Sequence, residues 1–123
     1  MNYLDGLNDK QLEAVLHVDG PMLVLAGAGS GKTKVLTTRI ARLIDIGIPS
    51  YNILAITFTN KAAKEMKDRL ERIVPGNYAF VGTFHSLGVR ILRECGDVLG
   101  FDKNFSIIDS DDVISIIKKI IKV

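Results

Sequence analysis

Residues 26–33 read Ala26-Gly27-Ala28-Gly29-Ser30-Gly31-Lys32-Thr33, and they join the apolar run Met22-Leu23-Val24-Leu25 to a segment with helical periodicity. A glycine-rich turn between a strand and a helix is the context in which such a pattern binds nucleotide phosphates. Glycines let the backbone curl so that successive N–H groups point inward, and the N-terminus of the following helix attracts anions. The stretch therefore predicts a phosphate-binding loop, in which Lys32 reaches the β- and γ-phosphates and the Thr33 hydroxyl is a magnesium ligand.

The first position of this loop departs from the strict pattern, which has glycine where this chain has Ala26. Alanine still reaches the ordinary backbone conformations, so we interpret the loop as a variant. The alternative is a glycine-rich turn that binds nothing. Phosphate binding is favoured because four residues follow the apolar run at the spacing of the pattern; they are Gly29, Gly31, Lys32 and Thr33. We therefore expect ATP and Mg²⁺ as cofactors.

Composition sets broad limits on the class of protein. The chain has 123 residues, of which 47% are hydrophobic and 24% charged, and this is the size and composition of one folded domain. The formal net charge of +2 does not by itself indicate a nucleic-acid-binding protein. Cys95 is the only cysteine, which excludes an intrachain disulfide and a zinc cluster. The start of the sequence lacks the pattern of a signal peptide, and no apolar run approaches about 18 residues, so we expect a cytoplasmic protein with no membrane partner.

Strand-like and helix-like segments alternate along the chain. A first helix begins with Asn8 as its N-cap and ends near Leu16. Strands are then predicted over 22–26, 53–58, 79–83 and 105–109; the helices that follow them cover 32–45, Thr59 or Asn60 to about Arg72, 84 to about Leu99 with Gly100 as C-cap, and Ser110 onward. Four strand-then-helix units predict an α/β fold, a parallel β-sheet with helices on both faces. Ligands of such sheets bind beyond the carboxyl ends of the strands, where the loop, residues 57–60, residues 83–86 and Asp109 would form one rim.

Helical spacing leads to three further expectations. The helix after residue 59 carries opposite charges at i, i+4 spacing, which indicates a solvated, self-paired face; the pairs are Lys61–Glu65, Lys64–Asp68, Glu65–Arg69, Lys67–Glu71 and Asp68–Arg72. Cys95 shares its spacing with apolar residues, so we expect a buried, inert thiol. The last helix is apolar on nearly all sides, so we expect it to be covered by chain beyond residue 123 or by another copy; a membrane-surface helix is the alternative.

Four motifs occur in the order and spacing of one protein family. They are Leu7-Asn8-x-x-Gln11-x-x-Ala14-Val15, the loop at 26–33, Ala55-Ile56-Thr57-Phe58-Thr59-Asn60-Lys61-Ala62-Ala63-x-Glu65-Met66, and Gly82-Thr83-Phe84-His85-Ser86 with Val89-Arg90-Ile91-Leu92-Arg93. They resemble the Q motif and motifs I, Ia and Ib of UvrD/Rep/PcrA-type superfamily 1 DNA helicases. The resemblance runs from about residue 5 to the end and implies a RecA-like P-loop NTPase fold.

The resemblance implies a nucleotide site and a DNA site. At the nucleotide, Gln11 would read adenine, because an amide matches the donor and acceptor of the N6/N7 edge. Without the motif, Gln11 would be interpreted as an exposed polar residue of a helix. Lys34 would lie near the base, although these helicases often have arginine there and lysine loses the planar stacking surface. The implied nucleotide-binding set is Gln11, Ala26, Gly27, Ala28, Gly29, Ser30, Gly31, Lys32, Thr33 and Lys34.

On the DNA side, Phe58 would stack on a base, unless it is a core residue that ends a strand. Thr59, Asn60 and Lys61 would hold backbone phosphate at the start of a helix, a role compatible with ordinary capping. Thr83, His85 and Ser86 would contact the DNA backbone, although a lone histidine is usually structural. The partners implied are single-stranded and duplex DNA and the remainder of a helicase chain.

The implied function is an ATP-driven 3′-to-5′ DNA helicase, of which residues 1–123 would form the N-terminal part of the first motor domain, before the Walker B motif. Hydrolysis needs a carboxylate on magnesium and another for the attacking water, and the candidate strand here ends in Asp109-Ser110 rather than Asp-Glu. We therefore expect the chain alone not to unwind DNA. The alternatives are a nucleotide-gated interaction module and a small P-loop phosphotransferase such as a nucleotide kinase.

Overall fold

The computed structural model describes residues 2–27, 29 and 31–122. The chain divides into two compact units, Met1–Phe84 and His85–Val123, and each is described by itself.

Helices and two strands alternate in the first unit. The elements are α1 (Asp9–Leu16), α2 (Lys32–Asp45), a 3₁₀ turn (Ser50–Asn52), β1 (Leu54–Thr57), α3 (Asn60–Ile73) and β2 (Phe80–Thr83). The two strands pair in parallel, from Leu54 opposite Phe80 to Thr57 opposite Thr83. α3 connects them, as a parallel pair requires a crossover. The fold is thus mixed α/β, with two parallel strands flanked by helices.

The core of this unit lies between α2, α3 and the strands. Ile40, Ile53, Met66 and Leu70 form a buried cluster, with Ala55 and Val81 of the strands packed against it. Met66 and Leu70 are four residues apart and therefore lie on one face of α3. A second cluster joins α1 to α2 through Ala14, Val15 and Val35. α2 therefore contributes to both clusters.

Two of the four predicted strands are not formed in the described part of the chain. Residues 22–26 have no ladder partner there, and Leu23 and Leu25 are 84% and 87% exposed. Residues 105–109 are likewise irregular, and Asp109 is the N-cap of the next helix. An apolar run becomes a strand only when another strand accepts its hydrogen bonds, and within the described residues neither segment pairs with β1 or β2. The prediction of a four-stranded sheet was therefore wrong for these segments.

The second unit consists of most of α4 (Phe84–Cys95), a 3₁₀ turn (Gly96–Leu99) ended by Gly100 at φ +85°, and α5 (Ser110–Ile121). The Arg93 guanidinium lies 5.2 Å from the centre of the Phe105 ring. Cys95 is exposed, so the prediction of a buried thiol was wrong. The helix-period pattern ends there, because α4 changes to a 3₁₀ turn after that residue.

The apolar side chains of α5 are exposed; they are Val113, Ile114, Ile116, Ile117, Ile120 and Ile121. That chain beyond residue 123 or another copy covers them stays a prediction. Asp109 and Asp112 form a capping box at its start, with an Asp109 Oδ1 to Asp112 N distance of 2.8 Å. No helix in the described residues is long and apolar enough to cross a membrane.

The charged face of α3 is paired in part. Lys64 Nζ lies 3.5 Å from Asp68 Oδ2, as the i, i+4 spacing predicts. Glu71 instead accepts hydrogen bonds from the Gly76 N–H at 2.6 Å and from the Asn77 side chain at 3.3 Å. This acidic residue therefore fixes the turn that leads into β2.

Candidate nucleotide and DNA site

The predicted phosphate loop ends at the start of α2. Gly29 and Gly31 have φ angles of 75° and 84°, which L side chains rarely adopt. Gly31 is the N-cap of α2, and its carbonyl accepts the N–H of Val35 at 3.1 Å. Ala28 and Ser30 lie outside the described residues. Because Gly31 has no side chain to cap the helix, it leaves the first-turn N–H groups for another acceptor.

Gln11 lies against this loop and is held there by the start of α1. Its Oε1 accepts the N–H of Asn8 at 3.0 Å, while Asn8 Oδ1 accepts the N–H of Gln11 at 2.9 Å. This reciprocal capping box fixes both residues at the N-terminus of α1. The Gln11 Nε2 atom lies 2.6 Å from the position that a Cβ atom on Gly31 would take. The amide expected to read a base is therefore next to the loop expected to hold phosphates.

A cleft of about 340 Å³ lies where α1 meets the loop. It is lined from one side by Asn8, Lys10, Gln11 and Ala14, and from the other by residues 24–27, Lys32 and Val35. This volume is at the lower end of small-molecule sites. A larger cavity of about 700 Å³ is lined by α2, α3 and the N-terminal segment and includes none of the loop residues that the structure describes.

The three residues after Gly31 form the first turn of α2. Lys32 is exposed and lines the cleft, and Thr33 is half-buried. Lys34 is directed elsewhere, because its Nζ donates to the Gly6 carbonyl at 3.0 Å. The described residues contain no cluster of three or more histidine, cysteine or acidic side chains that could hold a metal ion.

An aromatic pair stands at the carboxyl ends of the two strands. Phe58 follows β1 and is 93% exposed, so it is not a core residue. Phe84 follows β2, is 63% exposed, and its ring centre lies 6.2 Å from that of Phe58 with an interplanar angle of 52°. Sequence reasoning missed Phe84. The signal was available, because Thr57 pairs with Thr83 and the next residues of parallel strands are therefore neighbours.

The remaining predicted DNA contacts differ in exposure. Thr59 is the N-cap of α3, where its Oγ1 accepts the Ala62 N–H at 3.1 Å, and Asn60 and Lys61 are exposed in the first turn. Thr83 is only 7% exposed, within β2. His85 and Ser86 are exposed in α4, in the second unit.

Comparison with known proteins decides the family. Residues 7–123 match the UvrD/REP helicase N-terminal domain. The chain belongs to this family. Among relatives of this helicase family, the protein named ATP-dependent DNA helicase PcrA from Bacillus subtilis is 55% identical over 99% of this chain and 18% of its own length. The proteins of the same name from Staphylococcus aureus and Staphylococcus epidermidis are 53% and 55% identical over 97% and 94% of this chain. The chain thus spans less than a fifth of the length of these relatives.

In this UvrD/REP-family chain, the contact between Gly31 and Gln11 gives a testable consequence. Gly31→Ala places a Cβ at positive φ and 2.6 Å from the Gln11 amide, so it should lower the free energy of unfolding by more than the about 1–2 kcal/mol of left-handed strain alone. Gly20→Ala is the matched control, since Gly20 has φ +81° and open space around its Cβ position. Urea unfolding followed by circular dichroism measures both.

The same comparison is then repeated in a Gln11→Ala background. There the difference between Gly31→Ala and Gly20→Ala should shrink, because the amide that meets the new methyl group is gone. An unchanged difference would show that the contact with Gln11 does not contribute.

Proposed function

We propose that this chain is the ATP-binding and DNA-contacting N-terminal part of an ATP-dependent 3′-to-5′ DNA helicase. The observation that carries the proposal is the position of Gln11 against Gly31, which puts a base-reading amide beside a phosphate-binding loop. Membership of the UvrD/REP family and the PcrA relatives support it. Residues 1–123 would form part of the first motor domain, and the carboxylates and arginines for hydrolysis would belong to the rest of a helicase chain.

ATP would bind across the cleft between α1 and the loop. The main-chain N–H groups of 27–33 and the N-terminus of α2 favour the charged phosphates, and Lys32 adds a positive charge that reaches them. The Gln11 amide would meet the adenine edge. Thr33 would supply a hydroxyl ligand to Mg²⁺, which normally keeps few protein ligands and relies on nucleotide phosphates. Lys34 stays in the proposed nucleotide-binding set by resemblance alone, because its Nζ donates to the Gly6 carbonyl at 3.0 Å.

Single-stranded DNA would lie along the carboxyl ends of β1 and β2. The exposed rings of Phe58 and Phe84 offer faces on which bases can stack, which requires no particular sequence. Thr59, Asn60 and Lys61 at the start of α3 would hold a phosphate by main-chain N–H groups and charge. Thr83, His85 and Ser86 are proposed as contacts to the DNA backbone, and of these Thr83 is only 7% exposed.

A nucleotide-gated interaction module is the second candidate, and the exposed apolar side chains of α5 favour it. The partner would be another part of a helicase chain or, as an artefact of isolating this chain, a second copy. Loss of DNA binding together with self-association through α5 would favour this candidate over a helicase part. We propose the cytoplasm as the site of action of either.

Replacing Lys32 tests the nucleotide site. Lys32→Ala should weaken binding of ATP and of inorganic tripolyphosphate by about 10- to 100-fold, the cost of one or two hydrogen bonds to a charged group. Lys67→Ala, which removes an equal charge from α3, should leave both affinities unchanged. Isothermal titration of the 123-residue chain gives the dissociation constants, and equal affinities for wild type and Lys32→Ala would contradict the site.

Replacing the aromatic pair tests the DNA surface. Phe58→Ala and Phe84→Ala should each weaken binding to an oligo-dT strand by about 5- to 100-fold, since a stacked base contributes about 1–3 kcal/mol. Tyr78→Ala is the control, because the exposure of Tyr78 lies between those of Phe58 and Phe84 but Tyr78 precedes β2 instead of following it. Fluorescence anisotropy measures all three, and an equal effect of Tyr78→Ala would argue against a specific rim.

An ATPase measurement tests the proposal that the carboxylates needed for hydrolysis belong to another part of the protein. The chain alone should show no ATPase activity stimulated by oligo-dT, because Asp109 is engaged as the N-cap of α5 and is followed by Ser110. A phosphate-release assay with and without oligo-dT makes the comparison. Stimulated turnover that disappears in Lys32→Ala would prove the expectation wrong.

A further inference from the structure

Arg39 on α2 caps the C-terminal end of α1. Its Nη1 donates to the Ala14 carbonyl at 2.8 Å and also to the His17 carbonyl. The last carbonyls of a helix have no partner within the helix, and α1 has no basic residue in its own last turn. A guanidinium at this end satisfies these acceptors and complements the negative end of the helix dipole. A side chain of α2 therefore caps the C-terminal end of α1.

Further contacts align α1 with α2 over its whole length. At the start, the Gln11 amide meets Gly31; in the middle, Ala14 and Val15 pack on Val35; at the end, Arg39 holds two carbonyls. Val35 and Arg39 are one turn apart, so they lie on the same face of α2. The two helices thus run in the same direction, and Arg39 determines how far α1 can shift or rotate relative to the loop.

The position of Gln11 depends on such ties because α1 has only eight residues. Isolated helices of this length are not stable in water, so tertiary contacts must fix α1. Gln11 is one turn before Ala14, whose carbonyl Arg39 holds. Hydrogen bonds weaken steeply with distance and angle, so a small shift of α1 would misalign the amide with a base.

We propose that Arg39 is a positioning residue that gives the nucleotide site its preference for adenine by holding Gln11 in place. This inference rests on the proposed function, because it assigns a nucleotide base to Gln11. Arg39 does not itself contact the nucleotide: its Nη1 is directed to α1. Loss of Arg39 therefore affects recognition of the base and not binding of the phosphates.

The experiment compares ATP, GTP and inorganic tripolyphosphate by isothermal titration against the 123-residue chain and its Arg39→Gln, Arg39→Lys and Gln11→Ala variants. Arg72→Gln, which removes the same charge from α3, is the control. Arg39→Gln should reduce the preference for ATP over GTP by about tenfold, the equivalent of one hydrogen bond, while the affinity for tripolyphosphate stays within about twofold. Arg39→Lys should lie between wild type and Arg39→Gln, because one ammonium group cannot copy the guanidinium fork.

The outcomes separate the two proposals. A wild-type chain that binds neither tripolyphosphate nor ATP refutes the proposed function and this inference with it. A preference for ATP that Gln11→Ala abolishes and Arg39→Gln preserves refutes the inference alone. A parallel loss of all three ligands and of melting temperature in both Arg39 variants would assign Arg39 to folding only. Arg39→Lys decides the matter if Arg39→Gln does not fold.

Discussion

The burial of α2 on two sides is the constraint on which the first unit depends. One face places Val35 against Ala14 and Val15 of α1, and another places Ile40 in the cluster with Ile53, Met66 and Leu70. Thr37 is also buried, and its hydroxyl donates to the Thr33 and Lys34 carbonyls of its own helix at 2.9 and 3.2 Å. A buried hydroxyl satisfied in this way needs no partner from another element. α2 can therefore be packed tightly while its first turn remains open.

The candidate site follows from where the packed elements begin and end. α2 is fixed along its middle, so its N-terminus and Gly31 are held next to Gln11. α3 is fixed by Met66 and Leu70, and its N-terminus therefore stays near the end of β1. The strands contribute through their parallel register, which brings Phe58 and Phe84 together. The candidate site is thus built from helix starts and strand ends, where main-chain N–H groups and side chains remain accessible.

Local signals in the sequence predicted much of this arrangement. Asn8 and Thr59 cap helices because their side chains accept hydrogen bonds from N–H groups three residues later. Such a cap can be predicted from a few neighbouring residues of the sequence. The helix over 32–45 and the cores of β1 and β2 followed from periodicity and apolar runs. The strands at 22–26 and 105–109 did not form in the described residues, since an apolar run indicates a need for burial but does not say which strand accepts its hydrogen bonds. Arg39 could not be assigned either, as its acceptors lie 22 and 25 residues away.

The capping box at α1 lets the two polar atoms of one side chain face different parts of the molecule. Gln11 Oε1 bonds the Asn8 N–H, which leaves Nε2 as the group facing the loop. Glutamate at this position would close the same box with a carboxylate oxygen but would present an acceptor where the amide presents a donor. If Gln11 reads the base as proposed, exchange of glutamine for glutamate at residue 11 would be silent in a screen for thermal tolerance and would still alter which nucleotide binds, so sequence drift between these two residues would be governed by the ligand and not by the scaffold.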